Sequence, residues 1–163
     1  MNARMVRLSI AVAVALALTM ATASAETLKA FATRVSNDTG TTSGVLKPLD
    51  DAGNTSLHFS TSATNRLIKI TYNAECGVLG PAQSWVTVIV LVDGVQANPQ
   101  NGDDFALCTS LPNGVDFQWV GAVRQSLIKV PNIGTHAVQI QVDLNGGATE
   151  WWQGDSSIVV EQQ

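Results

Sequence analysis

Two histidines, two cysteines, a loop of oxygen donors and a pair of adjacent tryptophans are the side chains in this 163-residue chain whose types could do chemistry. His58 and His136 are its only imidazoles. Nucleophilic hydrolysis needs a base beside an activated hydroxyl or thiol, and the chain has no G-x-S-x-G turn to present one. Neither His has a partner at H-x-H or H-x-x-x-H spacing, which argues against zinc. Both are read as structural. His58 sits between Leu57 and Phe59 in a short strand, and His136 begins a strand after Gly134-Thr135, in phase with inward Val138 and bonded to backbone. Paired carboxylates could hydrolyse a glycoside, and Glu75 and Glu150 are available, but linear spacing does not bring them together. A small secreted hydrolase therefore ranks last, and the chain is read as non-enzymatic.

Binding chemistry has more support. Asn101, Asp103 and Asp104 share one loop with Gly102. Clustered carboxylate and carbonyl oxygens suit Ca²⁺, so calcium is the one cofactor the residues suggest. The loop lacks EF-hand spacing, and solvated turn residues are the simpler reading. Trp151 and Trp152 stand between Glu150 and Gln153. Neighbours on a strand point to opposite faces, so one indole can pack inward while the other stays exposed. An exposed Trp can stack on a sugar or anchor a protein partner; the alternative is that both rings cover the end of the core. Trp151, Trp152 and Glu150 are the candidate ligand residues. Trp85 and Trp119 fall on strand patterns and are assigned to the core.

The compartment is read from the N-terminus. Arg4 and Arg7 precede an apolar run from Leu8 to Leu18, and small residues follow, ending in Ala23-Ser24-Ala25. That order is a cleavable secretory signal over residues 1–25, with one domain over residues 26–163. The apolar run is about half the roughly 20 residues of a spanning helix, and no later stretch is long and apolar enough to span. The expected location is secreted, periplasmic or at the cell surface. Cys76 and Cys108 then face an oxidising compartment, where a pair without C-x-x-C spacing reads as a disulfide. From Glu26 on, 7 Lys and Arg face 13 Asp and Glu, a formal charge of −6. That excludes nucleic acid, whose phosphates need clustered cations, and adhesion to anionic lipid. Asn37 and Asn54 begin N-x-S/T triplets, which matter only where the host glycosylates exports.

Strands must position all of this. Ile68, Ile70, Tyr72 and Ala74 alternate with Lys69, Thr71 and Asn73, the period of a half-buried strand. Trp85 to Val92 is almost wholly apolar and reads as a central strand. Asp93-Gly94 and Asn145-Gly146-Gly147 read as tight turns. Val115, Phe117, Trp119, Gly121 and Val123 alternate with mostly polar residues, the phase that puts Trp119 in the core, with Ser126 to Val130 as a separate strand. Val138, Ile140, Val142 and Leu144 face in along another strand, and Ser157 to Glu161 forms the last. Leu28 to Val35 and Thr55 to Ser60 are further candidates. Eight to ten short strands with turns between them predict an all-β antiparallel sandwich or jelly roll, with a closed barrel as the alternative.

The order Ala74-Glu75-Cys76, Val92-Asp93-Gly94, Phe105-Ala106-Leu107-Cys108, Gly134-Thr135-His136 and Asp155-Ser156-Ser157-Ile158-Val159-Val160 spans Ile68 to Gln162. In it the chain resembles a loose group of small exported bacterial β-sandwich proteins. The resemblance implies a fold and carries no functional residue. Export, a rigid scaffold and the Trp pair together favour a binding or surface-interaction domain for carbohydrate or protein. A structural subunit of a surface assembly is the alternative, with the terminal segments Leu28 to Val35 and Ser157 to Glu161 available for strand exchange.

Overall fold

The computed structural model describes residues 26–100, 106–112 and 118–163. The leader and the Asn101, Asp103 and Asp104 loop lie outside the described residues, as do Val115 and Phe117. The described chain forms β1 (Thr27–Arg34), β2 (Asp38–Gly40), β3 (Val45–Leu46), β4 (Leu57–Thr61), β5 (Arg66–Leu79), β6 (Trp85–Val92), β7 (Val95–Gln96), β8 (Ala106–Thr109), β9 (Val120–Val130), β10 (Gly134–Asn145) and β11 (Glu150–Gln162). All pairings are antiparallel, and the strands make a two-sheet sandwich. One sheet runs β1-β11-β5-β9, with β2 continuing beside β11; the other runs β3-β10-β6-β7, with β4 on β10 and β8 on β6.

The core lies between the sheets. Ile68, Ile70, Tyr72, Ala74, Cys76 and Val78 of β5 are buried, facing Val86, Val88, Val90 and Val92 of β6 and Val138, Ile140 and Val142 of β10. The alternation expected on β5 and β10 is present. On β6, Thr87 is also buried and Ile89 and Leu91 are half-buried, as a central strand requires. Cys76 and Cys108 form a disulfide that ties β5 of one sheet to β8 of the other. Asp93 and Gly94 both take positive φ, 51° and 79°, in the β6–β7 turn, as do Gly146 and Gly147, 64° and 84°.

Four expectations need correction. Among the described residues the strands number eleven, because β2, β3 and β7 are pieces of two or three residues that show no period. The inward phase expected around Trp119 is reversed: β9 pairs Ala122 with Ala74 and Arg124 with Tyr72, so its even residues face the core. Trp119 and Val123 are exposed instead, Val123 by 62%. The terminal segment Ser157 to Glu161 is not an available edge, since β11 is hydrogen-bonded to β1 on one side and β5 on the other. It is continuous from Glu150, its two halves joined by a bulge between Gln153 and Ser156.

Candidate functional site

The Trp pair divides as strand geometry requires. Trp151 points inward and is 1% exposed, with Gly40 against its ring and its Nε1 donating to the Thr42 carbonyl at 3.3 Å. A Cβ at position 40 would lie 2.6 Å from that ring, so glycine is what lets β2 pass over it. As a ligand residue Trp151 is therefore corrected to a core residue. Trp152 is half-buried on the outer face, in register with Thr39 of β2. Glu150 shares that face and accepts the Thr39 hydroxyl at 2.9 Å.

Trp85, assigned to the core by pattern, is only half-buried. It lines an open recess of about 530 Å³ with Ala82, Gln83, Ala106, Thr109 and Pro112. Local bonds hold the walls. The Ser84 N–H bonds the Pro81 carbonyl at 3.1 Å, and the Ser110 N–H bonds the Ser84 carbonyl at 2.8 Å. The Ser110 hydroxyl donates to the Pro81 carbonyl at 2.7 Å, and that of Ser84 to the Gly146 carbonyl at 3.0 Å. Gly146 packs against the indole so closely that a Cβ there would lie 2.6 Å from the ring. The result is a preformed aromatic wall with an exposed amide at Gln83 and an exposed hydroxyl at Thr109.

His136 belongs to a different cluster. Its Nδ1 lies 2.7 Å from Asp93 Oδ2 and its Nε2 3.2 Å from Thr61 Oγ1, and the ring packs on Phe59 with centroids 5.3 Å apart. This corrects the expected backbone partner: both partners are side chains. The Asp-His-Thr order is that of a hydrolytic triad, but the roles do not fit. The Thr61 hydroxyl donates to the Asn132 carbonyl at 2.9 Å, so its one proton is not directed at Nε2. A hydroxyl whose proton is held by a carbonyl is not poised to pass it to an imidazole. Thr61 is also 3% exposed. The trio is a clamp that joins β4, β10 and the β6–β7 turn.

Burial raises the Asp93 carboxyl, but the Ala137 N–H and the His136 ring outweigh it and hold the group below the usual carboxylate range. A carboxyl lowered by folding stabilises the protein above its unfolded value and loses that contribution as the pH falls through the folded one. Stability should thus decline on acidification below about pH 4, and Asp93→Asn should flatten the decline in denaturant titrations. At neutral pH, His136→Ala should cost about 1–3 kcal/mol, because it removes a buried ring packed on Phe59 and takes one partner each from Thr61 and the Asp93 carboxylate.

No group of three or more His, Cys, Asp or Glu side chains that could hold a metal occurs among the described residues. Compared with known family models and with curated proteins, the chain matches none.

Proposed function

We propose that this chain is an exported, non-enzymatic binding module, and that the recess beside Trp85 takes a neutral carbohydrate. The observation that carries the reading is the recess itself. Its volume, about 530 Å³, is that of a small-ligand site, and its make-up follows the rule of an apolar wall with few polar groups. The apolar face of a sugar ring stacks on an indole, while its hydroxyls exchange bonds with an amide and a hydroxyl. Gln83 and Thr109 supply both. The formal charge of −6 from Glu26 on disfavours anionic glycans.

The test is binding of the purified domain to a panel of neutral and acidic glycans. Gln83→Ala and Trp85→Ala should each weaken binding of a neutral glycan roughly tenfold or more, about 1.4 kcal/mol, and Gln83→Ala should leave the unfolding midpoint unchanged. Binding abolished by Trp152→Ala and untouched at Trp85 would move the site to the outer face of β11. No binding across the panel would remove the reading.

A second reading, a subunit of a surface assembly, is favoured by β1, which ends its sheet and exposes Leu28 and Phe31. Sedimentation that stays monomeric at high concentration would remove it.

A further inference from the structure

A buried polar cluster lies inside the sandwich at the β2 end of the β11 sheet. Lys47, which follows β3, is 1% exposed. Its Nζ contacts the Asp38 carboxylate and lies 4.1 Å from the centroid of the Trp151 ring. Arg34 stands behind, 4.0 Å from the same Asp38 oxygen. Gln153 is the cross-strand neighbour of Asp38 and is also 1% exposed. The Gln153 Oε1 accepts the Tyr72 hydroxyl at 2.9 Å, while its Nε2 has no acceptor among the described residues. Two cations thus share one carboxylate, and an idle amide donor sits beside it.

This is an expensive way to keep a lysine. Desolvating an ammonium, and in part a carboxylate, is costly, and mutual attraction often fails to repay it. Burial lowers the Lys47 ammonium to about 8, against the pull of Asp38. A desolvated amine of this kind is a nucleophile. It is held against a carboxyl carbon whose developing oxyanion would meet Arg34, with the Gln153 amide on the neighbouring strand.

We propose that Lys47 and Asp38 condense into an intramolecular amide that cross-links β2 to the segment after β3. One proton of the Lys47 ammonium first passes to the Asp38 carboxylate; the freed Nζ lone pair then attacks the Asp38 Cγ, and a C–N bond forms. One Cγ–O bond then breaks, and that oxygen leaves as water with two protons from the ammonium. Starting from the ion pair, the balance is one carboxylate and one ammonium to one amide and one water, with no oxidant or activating group. The side chain of Asp38 remains 26% exposed, which gives the water a way out. The product replaces a buried ammonium and a partly buried carboxylate with a neutral group and is independent of any ligand at Trp85.

Mass spectrometry of the reduced, trypsin-digested protein tests it. Asp38 and Lys47 fall in one peptide, residues 35–66, because Pro48 protects the bond after Lys47. That peptide should be lighter by one water, with no backbone fragments between residues 38 and 47. Lys47→Arg and Asp38→Ala should each restore the full mass expected of their sequence. A wild-type peptide of full mass, in protein first held folded at pH 8 for days, would overturn the proposal. So would a peptide lighter by one water whose fragment series runs unbroken through residues 38–47, since that marks a cyclised aspartate instead. The deciding measurement is on the wild-type chain, so it stands even where a variant fails to fold.

Discussion

Trp151→Ala should lower the stability of this domain by about 3–5 kcal/mol, the range for removing a buried large aromatic. The ring is enclosed on several sides: Gly40 lies against it, the Lys47 amine sits over it, and its N–H is spent on the Thr42 carbonyl. None of these neighbours can collapse into the space. Gly40 has no side chain to offer, and Lys47 is tied to Asp38. With total stabilities of only about 5–15 kcal/mol, the variant should sit close to unfolding at 37 °C. Urea titration reads the loss as a lower midpoint at constant slope. Trp152→Ala, one residue away on the half-buried outer face, should cost less than about 2 kcal/mol. Equal losses at the two positions would contradict the inward placement of Trp151.

Reduction of the Cys76–Cys108 bond should cost about 3.7 kcal/mol in the chain-entropy account, given the 32-residue separation. The effect should also be local. β8 is four residues long and joins its sheet through three pairs with β6, so the disulfide is its one covalent tie to the other sheet. Thr109, on the same strand, lines the recess beside Trp85. If the proposed recess is the binding site, a reduced protein should therefore lose glycan affinity before it loses its global fold. Denaturant titration with and without dithiothreitol measures the first effect, and ligand titration under the same conditions the second.

The sheets were legible where the two faces of a strand differ in polarity. Ile68 to Ala74 and Val138 to Leu144 alternate because one face meets the core and the other meets water. β9 misleads for the opposite reason. Its core face carries Arg124 and Ser126, with the Arg124 guanidinium donating to the Pro99 carbonyl at 2.7 Å. Its outer face carries Val123 and Leu127, so the pattern reads inside out. In β11 the bulge between Gln153 and Ser156 breaks the period, and one strand reads as two. The recess escaped because it has no local signature: the Pro81–Trp85 stretch, Thr109 and Gly146 meet only through long-range pairing. Lys47 gave no signal either. A lysine between Leu46 and Pro48 looks like a solvated loop residue until β2 and β3 bring Asp38 to it.

The pairing of β1 with β11 has a consequence in time. Thr27 is the register partner of Gln162, so the first described strand must wait for the last. Contacts between residues so far apart in sequence close slowly, because the chain between them must be ordered first. During synthesis, β5 and β9 can meet early, yet the gap beside β5 stays open until β11 has emerged. A growing chain therefore keeps one sheet incomplete, with β1 and β5 lacking the strand that lies between them, until nearly all of the domain is made. That delay leaves strand edges unpaired and makes the partly made chain prone to aggregation.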